Sequence, residues 1–166
     1  LSLQGPSGCG KSTLSLLIGG LDQADSGQIF FGQTDILTLE PHKRQIFVRQ
    51  HLAMIFQQFH LVPHLTASEN LELPLDFFGF DDSKAIAKDF LDKVGLGQRG
   101  HHFPHQMSRG ECQRVAIARA LCLKPSILIA DEPTANLDSA NSHHILQTMK
   151  KLNEELNITF LFSTHD

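Results

Sequence analysis

The sequence lacks the features that mark several classes of protein. Its 166 residues contain no run of lysine or arginine and carry a formal net charge of −4, which argues against a nucleic-acid-binding surface. No apolar stretch approaches the length needed to cross a bilayer, so we expect any membrane role to come through a partner. The three cysteines form no C-x-x-C pair, which argues against a disulfide framework and against a zinc site.

The sequence does contain alternating strand-like and helix-like segments. Short, continuous apolar runs are typical of parallel strands covered on both faces, and they occur at 52–56, 127–130 and 159–162. Apolar residues at helical spacing predict a helix after Lys11 and further helices around 86–94 and 145–156. This alternation predicts an α/β fold with a parallel sheet.

The middle of the chain breaks the alternation. The stretch from about 66 to 125 offers no convincing strand, so we expect it to form an inserted helical subdomain. The flanking parts, 1–65 and 126–166, would then form one core, and residues 1–166 would be a single domain.

A phosphate-binding pattern stands near the start of the chain. Gly5–Ser12 reads G-P-S-G-C-G-K-S and matches G-x-x-x-x-G-K-[ST], between a predicted strand and a predicted helix. Such a loop turns backbone N–H groups towards phosphate oxygens, the Lys11 ammonium reaches the β- and γ-phosphates, and the Ser12 hydroxyl ligates Mg²⁺. The alternative is a glycine-rich turn that only caps a helix. The candidate nucleotide-binding residues here are Gly5, Ser7, Gly8, Cys9, Gly10, Lys11, Ser12 and Thr13.

Two carboxylates follow the predicted strand 127–130. Ligands of open α/β sheets bind at the carboxyl ends of the strands, which places Asp131 to hold Mg²⁺ opposite the phosphate loop. Glu132 is next along the chain and can polarise the attacking water as a general base. The alternative is a helix cap or a turn, which the presence of the phosphate loop disfavours.

A second helix start has the features of an anion site. Ser108 and Glu111 form the S-x-x-E pattern of a capping box, with Ser108 as N-cap. Beyond that local role, the Ser108 hydroxyl and the Gly110 N–H can bind an anion at the helix N-terminus. Two anion-binding helix starts in one small domain suggest a ligand shared between two copies of the chain.

The order of these motifs resembles that of the ABC ATPases over essentially the whole chain. The five matching segments are the phosphate loop, Phe56–Gln57 (Q-loop), Met107–Arg114 followed by V-A-I-A-R-A-L (signature), Asp131–Asp138 (Walker B and D-loop) and Ser163–Asp166 (switch-histidine loop). The segment F-Q-Q-F-H-L-V-P-H-L-T-A-S-E-N-L is similar to the lipoprotein-releasing and macrolide-exporter branch. The resemblance therefore implies a P-loop NTPase core of ABC ATPase type.

The resemblance also implies roles and partners. ATP and Mg²⁺ are the expected cofactors, with Gln57 and His165 joining Glu132 in catalysis and Gln57 joining Ser12 and Asp131 at the metal. Asp138 joins Ser108 and Gly110 among the nucleotide-contacting residues. Two copies, expected as a homodimer, would trap ATP between the phosphate loop of one and the signature of the other. The expected further partners are integral membrane permease subunits at the cytoplasmic face of the inner membrane, with no direct nucleic-acid partner.

The chain departs from the family pattern in its signature. The usual motif is L-S-G-G-Q, and here Met107, Arg109 and Glu111 replace its first, third and fifth residues. Arg109 places a bulky cation where a partner's γ-phosphate should lie, and two alternatives stay open: the cation adds charge attraction, or it crowds the backbone. Two alternative functions are a soluble ABC-type ATPase acting on nucleic acid or ribosomes, and a non-hydrolysing regulatory module. The lack of a heptad run disfavours the first, and the presence of Glu132 and His165 disfavours the second.

Both ends of the sequence suggest truncation. The chain opens in mid-strand at Leu1–Gln4 and stops one residue after His165. The family places an aromatic side chain that stacks on adenine ahead of the phosphate loop, but this sequence has no Tyr or Trp and no Phe before Phe30. We therefore expect these 166 residues alone to be poorly stable, to bind ATP weakly through its phosphates and to hydrolyse little of it.

Overall fold

The computed structural model describes residues 1–6, 8–135 and 137–164. The roles predicted for Ser7 and His165 therefore concern positions outside the described residues. The strands are β1 (Ser2–Gln4), β2 (Phe30–Phe31), β3 (Thr34–Asp35), β4 (Leu52–Ile55), β5 (Ile127–Asp131) and β6 (Thr159–Thr164). The α-helices are α1 (Lys11–Ile18), α2 (Pro41–His51), α3 (Ala67–Phe77), α4 (Ser83–Lys93), α5 (Arg109–Leu121) and α6 (Ser139–Leu156).

Four parallel strands form the main sheet, in the order β1-β6-β5-β4. The predicted strands at 52–56, 127–130 and 159–162 are confirmed as β4, β5 and β6, and the predicted helix after Lys11 is confirmed as α1. Strand β6 lies between β1, which leads into the phosphate loop, and β5, which leads into the acidic pair. This order brings both sequence motifs to the same carboxyl edge of the sheet.

The chain between β4 and β5 is helical among the described residues, as the sequence predicts. Helices α3 and α5 each begin with a capping box, formed by Thr66 with Glu69 and by Ser108 with Glu111. One apolar cluster runs through these helices and one face of the sheet, and includes Leu71, Leu91, Leu121, Leu128 and Leu152. The division into a core and a helical subdomain stays a prediction, because this cluster is shared by both.

A smaller apolar cluster covers the opposite face of the sheet. It joins Ile36, Val48, Leu52 and Ile129, with Ile18 of α1 packed against it. Two elements here were not predicted, namely the hairpin β2–β3 and helix α2. Helix α2 buries only Val48 among its described residues, so it lacks the apolar stripe that reveals most helices in a sequence. None of the described helices is both long and apolar enough to span a bilayer.

Candidate nucleotide-binding site

The phosphate loop connects the end of β1 to the start of α1 and closes around Lys11. This lysine is only 9% exposed, and its Nζ donates to the carbonyl oxygens of Gly5 at 2.7 Å and Pro6 at 3.1 Å. The Cys9 Sγ lies 4.0 Å from the same nitrogen. The loop backbone therefore holds the ammonium group at its centre, where a phosphate bound by the loop would meet it.

Two glycines explain why the loop has this sequence. Gly10, the N-cap of α1, has φ 96°, a left-handed conformation that residues with a Cβ rarely adopt. A Cβ at Gly5 would lie 2.8 Å from Cys9 Sγ, so the Cys9 side chain would have to shift to admit it. The turn leaves the first N–H groups of α1 at the loop, and a helix N-terminus favours a bound anion.

The acidic pair lies where β5 ends, beside β6. Asp131 is the last residue of β5 and pairs in register with Ser163, whose hydroxyl donates to Asp131 Oδ1. The backbone N–H of Glu132 donates to Ser163 Oγ at 3.1 Å and to the Ser163 carbonyl oxygen at 3.3 Å. Glu132 has φ 47°, a left-handed conformation that is uncommon for a residue with a side chain.

A pocket of about 390 Å³ joins residues of the phosphate loop with Gln57 of the Q-loop and Glu132 of the acidic pair. Its lining residues are Gly8, Gly10, Lys11, Ser12, Thr13, Gln57 and Glu132. Lys11 contributes a positive charge and Glu132 a negative one, so the pocket can attract a phosphate chain and also supply a proton acceptor. Residues far apart in the sequence thus converge as the motif order predicts.

The predicted donor set fits Mg²⁺ in its chemistry. Ser12 and Gln57 line the pocket and offer a hydroxyl and an amide oxygen, whereas Asp131, the residue before Glu132, offers a carboxylate but is not among the lining residues. Mg²⁺ prefers such oxygen ligands. Across 1–6, 8–135 and 137–164, no group of three or more His, Cys, Asp or Glu residues could hold a metal. A magnesium ion here would therefore rely on phosphate oxygens and water for the rest of its coordination, as Mg²⁺ commonly does with nucleotides.

Six of the predicted residues are not among the described residues that line this pocket, namely Gly5 and Cys9 of the phosphate loop, Asp131, Ser108, Gly110 and Asp138. Ser108 and Asp138 are the N-caps of α5 and α6, so the local capping role of Ser108 is confirmed. The two helix starts meet, because a Cβ on Gly110 would lie 2.7 Å from Oδ1 of Asn141, whose N–H donates to Asp138. An anion bound at the N-terminus of α5 would therefore not be one held in this pocket of the same chain.

The start of α5 also carries an ion pair. Arg99 Nε lies 3.1 Å from Glu111 Oε1, and Arg99 Nη1 lies 3.2 Å from His102 Nε2. The pKa of the Glu111 carboxyl is lowered, chiefly by the N–H of Ser108, and the Ser108 hydroxyl and Arg99 lower it further against the opposing effect of burial. Glu111 is therefore a carboxylate at neutral pH, paired with a cation. Arg109 is exposed at the first position of the helix.

Three residues that sequence reasoning did not single out hold the site elements together. Gln113 Nε2 donates to the Pro133 carbonyl at 2.8 Å, which ties α5 to the segment after the acidic pair. Arg119 donates to the carbonyl oxygens of His60 at 2.7 Å and Phe59 at 3.0 Å, which ties α5 to the segment after Gln57. Ser163 bridges Asp131 and Glu132. In the sequence, Ser163 is marked only as the first residue of the segment that resembles the switch-histidine loop, with no role of its own.

Comparisons with known proteins agree with this geometry. A family model described as ABC transporter matches residues 1–135. An uncharacterised ABC transporter ATP-binding protein of Methanocaldococcus jannaschii is 46% identical over 99% of this chain and 74% of its own length. A lipoprotein-releasing system ATP-binding protein of Treponema pallidum is 45% identical over 100% of this chain and 74% of its own. A dimeric ATP-binding cassette, solved in a post-hydrolysis state with ADP and Pi, is 41% identical, with a TM-score of 0.87 over 99% of this chain and 74% of that one.

Proposed function

This chain belongs to the family of ABC transporter ATP-binding proteins, and we propose that it is the ATP-hydrolysing subunit of an exporter or lipoprotein-releasing system. The observation that carries the proposal is that Lys11 and Ser12 of the phosphate loop line the same pocket as Gln57 and Glu132. A phosphate-binding turn alone would need neither a carboxylate nor an amide at the same place. The lipoprotein-releasing branch is supported by the relative in Treponema pallidum.

The chemistry follows from the placement of these groups. The loop N–H groups and the Lys11 ammonium bind the β- and γ-phosphates of ATP. Ser12, Gln57 and Asp131 would hold Mg²⁺, which neutralises charge on the phosphate oxygens when bound. Water attacks the γ-phosphorus as Glu132 takes its proton. The new bond joins water oxygen to phosphorus, and ADP leaves with the electron pair of the broken P–O bond.

The second anion site fits a second copy of the chain. Ser108 and Gly110 of α5 lie outside the pocket, and the solved relative bound to ADP and Pi is dimeric. In a head-to-tail homodimer the Ser108 hydroxyl of one copy donates to the γ-phosphate held by the loop of the other. Arg109 adds a positive charge beside this contact. Loss of the γ-phosphate removes a group that both copies bind, so hydrolysis opens the dimer.

A Glu132→Gln variant of the full-length protein tests this proposal. Removing the proton acceptor leaves the phosphate contacts of Lys11 in place, so the variant should bind ATP and hydrolyse it far more slowly than the wild type. Gel filtration with ATP and Mg²⁺ should then show a dimer that the wild type does not accumulate. A Glu132→Gln protein that hydrolyses ATP at the wild-type rate and elutes as a monomer would contradict both the catalytic and the dimer assignment.

An apolar groove supplies a surface for a permease. A cavity of about 590 Å³ lies between β4, α3 and α5, away from the phosphate loop. Its rim includes Leu73 and Phe77 of α3, which are 52% and 73% exposed, and two cations, Arg49 and Arg119. Exposed apolar patches of this kind mark interaction sites. The occupant is a short amphipathic segment of a membrane permease, with an apolar face for the groove and acidic groups for the arginines.

This docking surface can be tested separately from catalysis. Phe77→Ser should weaken co-purification with the membrane permease, while ATP hydrolysis by the isolated subunit stays at its wild-type rate. Phe30→Ser is the matched control, because Phe30 is also exposed, at 59%, and does not line the groove. Equal permease capture by Phe77→Ser, Phe30→Ser and wild type would contradict the groove as the docking surface.

A further inference from the structure

Ser163 is the first residue of the segment that resembles the switch-histidine loop, and the resemblance assigns it no role of its own. It lies near the end of β6, the strand between β1 and β5, and is 1% exposed. Alternation along the strands places the Ser163 side chain on the same face as that of Leu161, and the Asp131 side chain on the same face as that of Ile129. Leu161 and Ile129 both lie in the apolar cluster against which Ile18 of α1 packs. The side chains of Ser163 and Asp131 therefore lie on the face of the sheet that α1 covers.

The hydroxyl of Ser163 makes two bonds of fixed direction. It donates to Asp131 Oδ1 and accepts from the Glu132 N–H at 3.1 Å. The result is a chain from the Glu132 N–H through the Ser163 hydroxyl to the Asp131 carboxylate, in which each bond polarises the next. One buried side chain therefore touches the predicted metal ligand and the backbone of the predicted general base.

We infer that Ser163 is a positioning residue that orients Asp131 towards the nucleotide-bound metal and holds Glu132 in its left-handed conformation. The inference rests on the proposed ATPase function and adds a residue to it. A hydrogen bond to Oδ1 restricts rotation of the Asp131 carboxylate about its Cβ–Cγ bond, and this orientation determines the direction in which Oδ2 faces a cation. Glu132 at φ 47° needs its N–H anchored, because this conformation is unfavourable for a residue with a Cβ.

Ser163→Ala tests the role in the full-length protein. The substitution removes both hydroxyl bonds and leaves the backbone bond from the Glu132 N–H to the Ser163 carbonyl, at 3.3 Å. Losing a partner that orients a metal ligand lowers metal affinity or activity by about 10- to 100-fold. We therefore expect the Mn²⁺ concentration for half-saturation, measured by electron paramagnetic resonance with a non-hydrolysable ATP analogue, to rise at least about tenfold. Affinity for the analogue in EDTA should not change.

Two further variants separate positioning from folding. Ser15→Ala removes another buried hydroxyl, at 1% exposure, which has no hydrogen-bond partner within the described part of the chain. It should keep wild-type Mn²⁺ affinity. Ser163→Thr retains the hydroxyl and should restore both Mn²⁺ affinity and turnover relative to Ser163→Ala, with folding checked for each protein by thermal melting.

The outcomes separate this inference from the proposed function. A Ser163→Ala protein that melts a few degrees lower but binds Mn²⁺ and turns over ATP like the wild type would show a structural role only and overturn the inference. A folded Ser163→Thr protein that binds Mn²⁺ as weakly as Ser163→Ala would also overturn the inference. If the wild type itself hydrolysed no ATP, the proposed function would fail, whereas the Mn²⁺ affinities of the nucleotide complexes would still decide the role of Ser163.

Discussion

Replacing Ser108 by alanine separates its two roles, as a helix cap and as a ligand for a second copy's ATP. As a cap, Ser108 Oγ accepts from the Glu111 N–H at 3.2 Å, while Glu111 Oε2 accepts from the Ser108 N–H at 2.8 Å. Ser108→Ala removes the first bond and keeps the second. Loss of an N-cap costs about 1 kcal/mol. In a domain of this size that lowers the melting temperature by about 2–4 °C.

The two roles predict different effects on turnover. A loss of about 1 kcal/mol from a total stability of about 5–15 kcal/mol leaves the protein folded in the assay, so a cap alone should not change the rate. A hydrogen bond to a charged group is worth about 1.5–3 kcal/mol. Its loss at the γ-phosphate should slow ATP turnover by about 10- to 150-fold. The catalytic effect should therefore exceed anything that the stability change can cause.

Thr66→Ala is the matched control for Ser108→Ala. Thr66 caps α3 with the same geometry, because its Oγ1 accepts from the Glu69 N–H at 3.2 Å and Glu69 Oε2 accepts from the Thr66 N–H at 2.7 Å. Both variants are melted in a calorimeter and assayed by phosphate release at saturating ATP. We expect similar melting shifts and a rate loss only for Ser108→Ala. Equal rates in the two variants would refute the assignment of Ser108 to the partner's nucleotide.

Two further predictions concern the phosphate loop. Lys11→Ala removes the buried ammonium that would bind the β- and γ-phosphates. ATP affinity, measured by fluorescence titration, should fall by about 100-fold, and turnover should be lost. Turnover at the wild-type rate would contradict the role of Lys11. Cys9 should be the first cysteine alkylated, and ATP should protect it, because Cys9 is exposed in the phosphate loop whereas Cys112 and Cys122 are buried. Burial raises the pKa of the Cys122 thiol to about 12 and also raises the pKa of the Cys112 thiol, so both react slowly. Mass spectrometry showing equal labelling of all three, unaffected by ATP, would exclude this.

The parts of the site that could be predicted from sequence are those set by local chemistry. Gly10 and Lys11 belong to one short loop, and Ser108 and Glu111 to one helical turn, so their spacing along the chain fixes their geometry. Asp131 could be placed because an apolar strand ends in an acid. In each case the interacting groups lie within a few residues of one another or of the element that positions them.

The parts that could not be predicted depend on pairing between distant segments. Ser163 meets Asp131 only because β5 and β6 pair in one register, across 32 residues of sequence. Arg119 reaches the carbonyl of Phe59 across 60 residues. Helix α2 was not predicted for a different reason. Only Val48 is buried among its described residues, so its sequence has no periodic apolar pattern.

The last prediction concerns Glu111, which stands where the family usually has glutamine. Glu111→Gln keeps an oxygen that can accept from the Ser108 N–H, so the capping box survives, but it removes the charge paired with Arg99. The pKa of Glu111 is lowered in the folded protein, so its ionised form stabilises the fold above the ordinary value of 4.5. That stabilisation is lost as the pH falls below 4.5 and through the folded pKa, because the carboxyl then becomes protonated in both states.

The wild type should therefore melt above Glu111→Gln at pH 7, by no more than a partly exposed ion pair allows, about 1 kcal/mol. The difference should shrink steadily once the pH is taken below 4.5. Glu69→Gln is the control, because Glu69 caps α3 in the same way, its pKa is also lowered by Thr66, and no arginine is among the causes. A larger gap at pH 7 for Glu111→Gln than for Glu69→Gln measures the part due to Arg99. A gap for Glu111→Gln that stayed constant from neutral to acid pH would show that its carboxylate charge does not stabilise the start of α5.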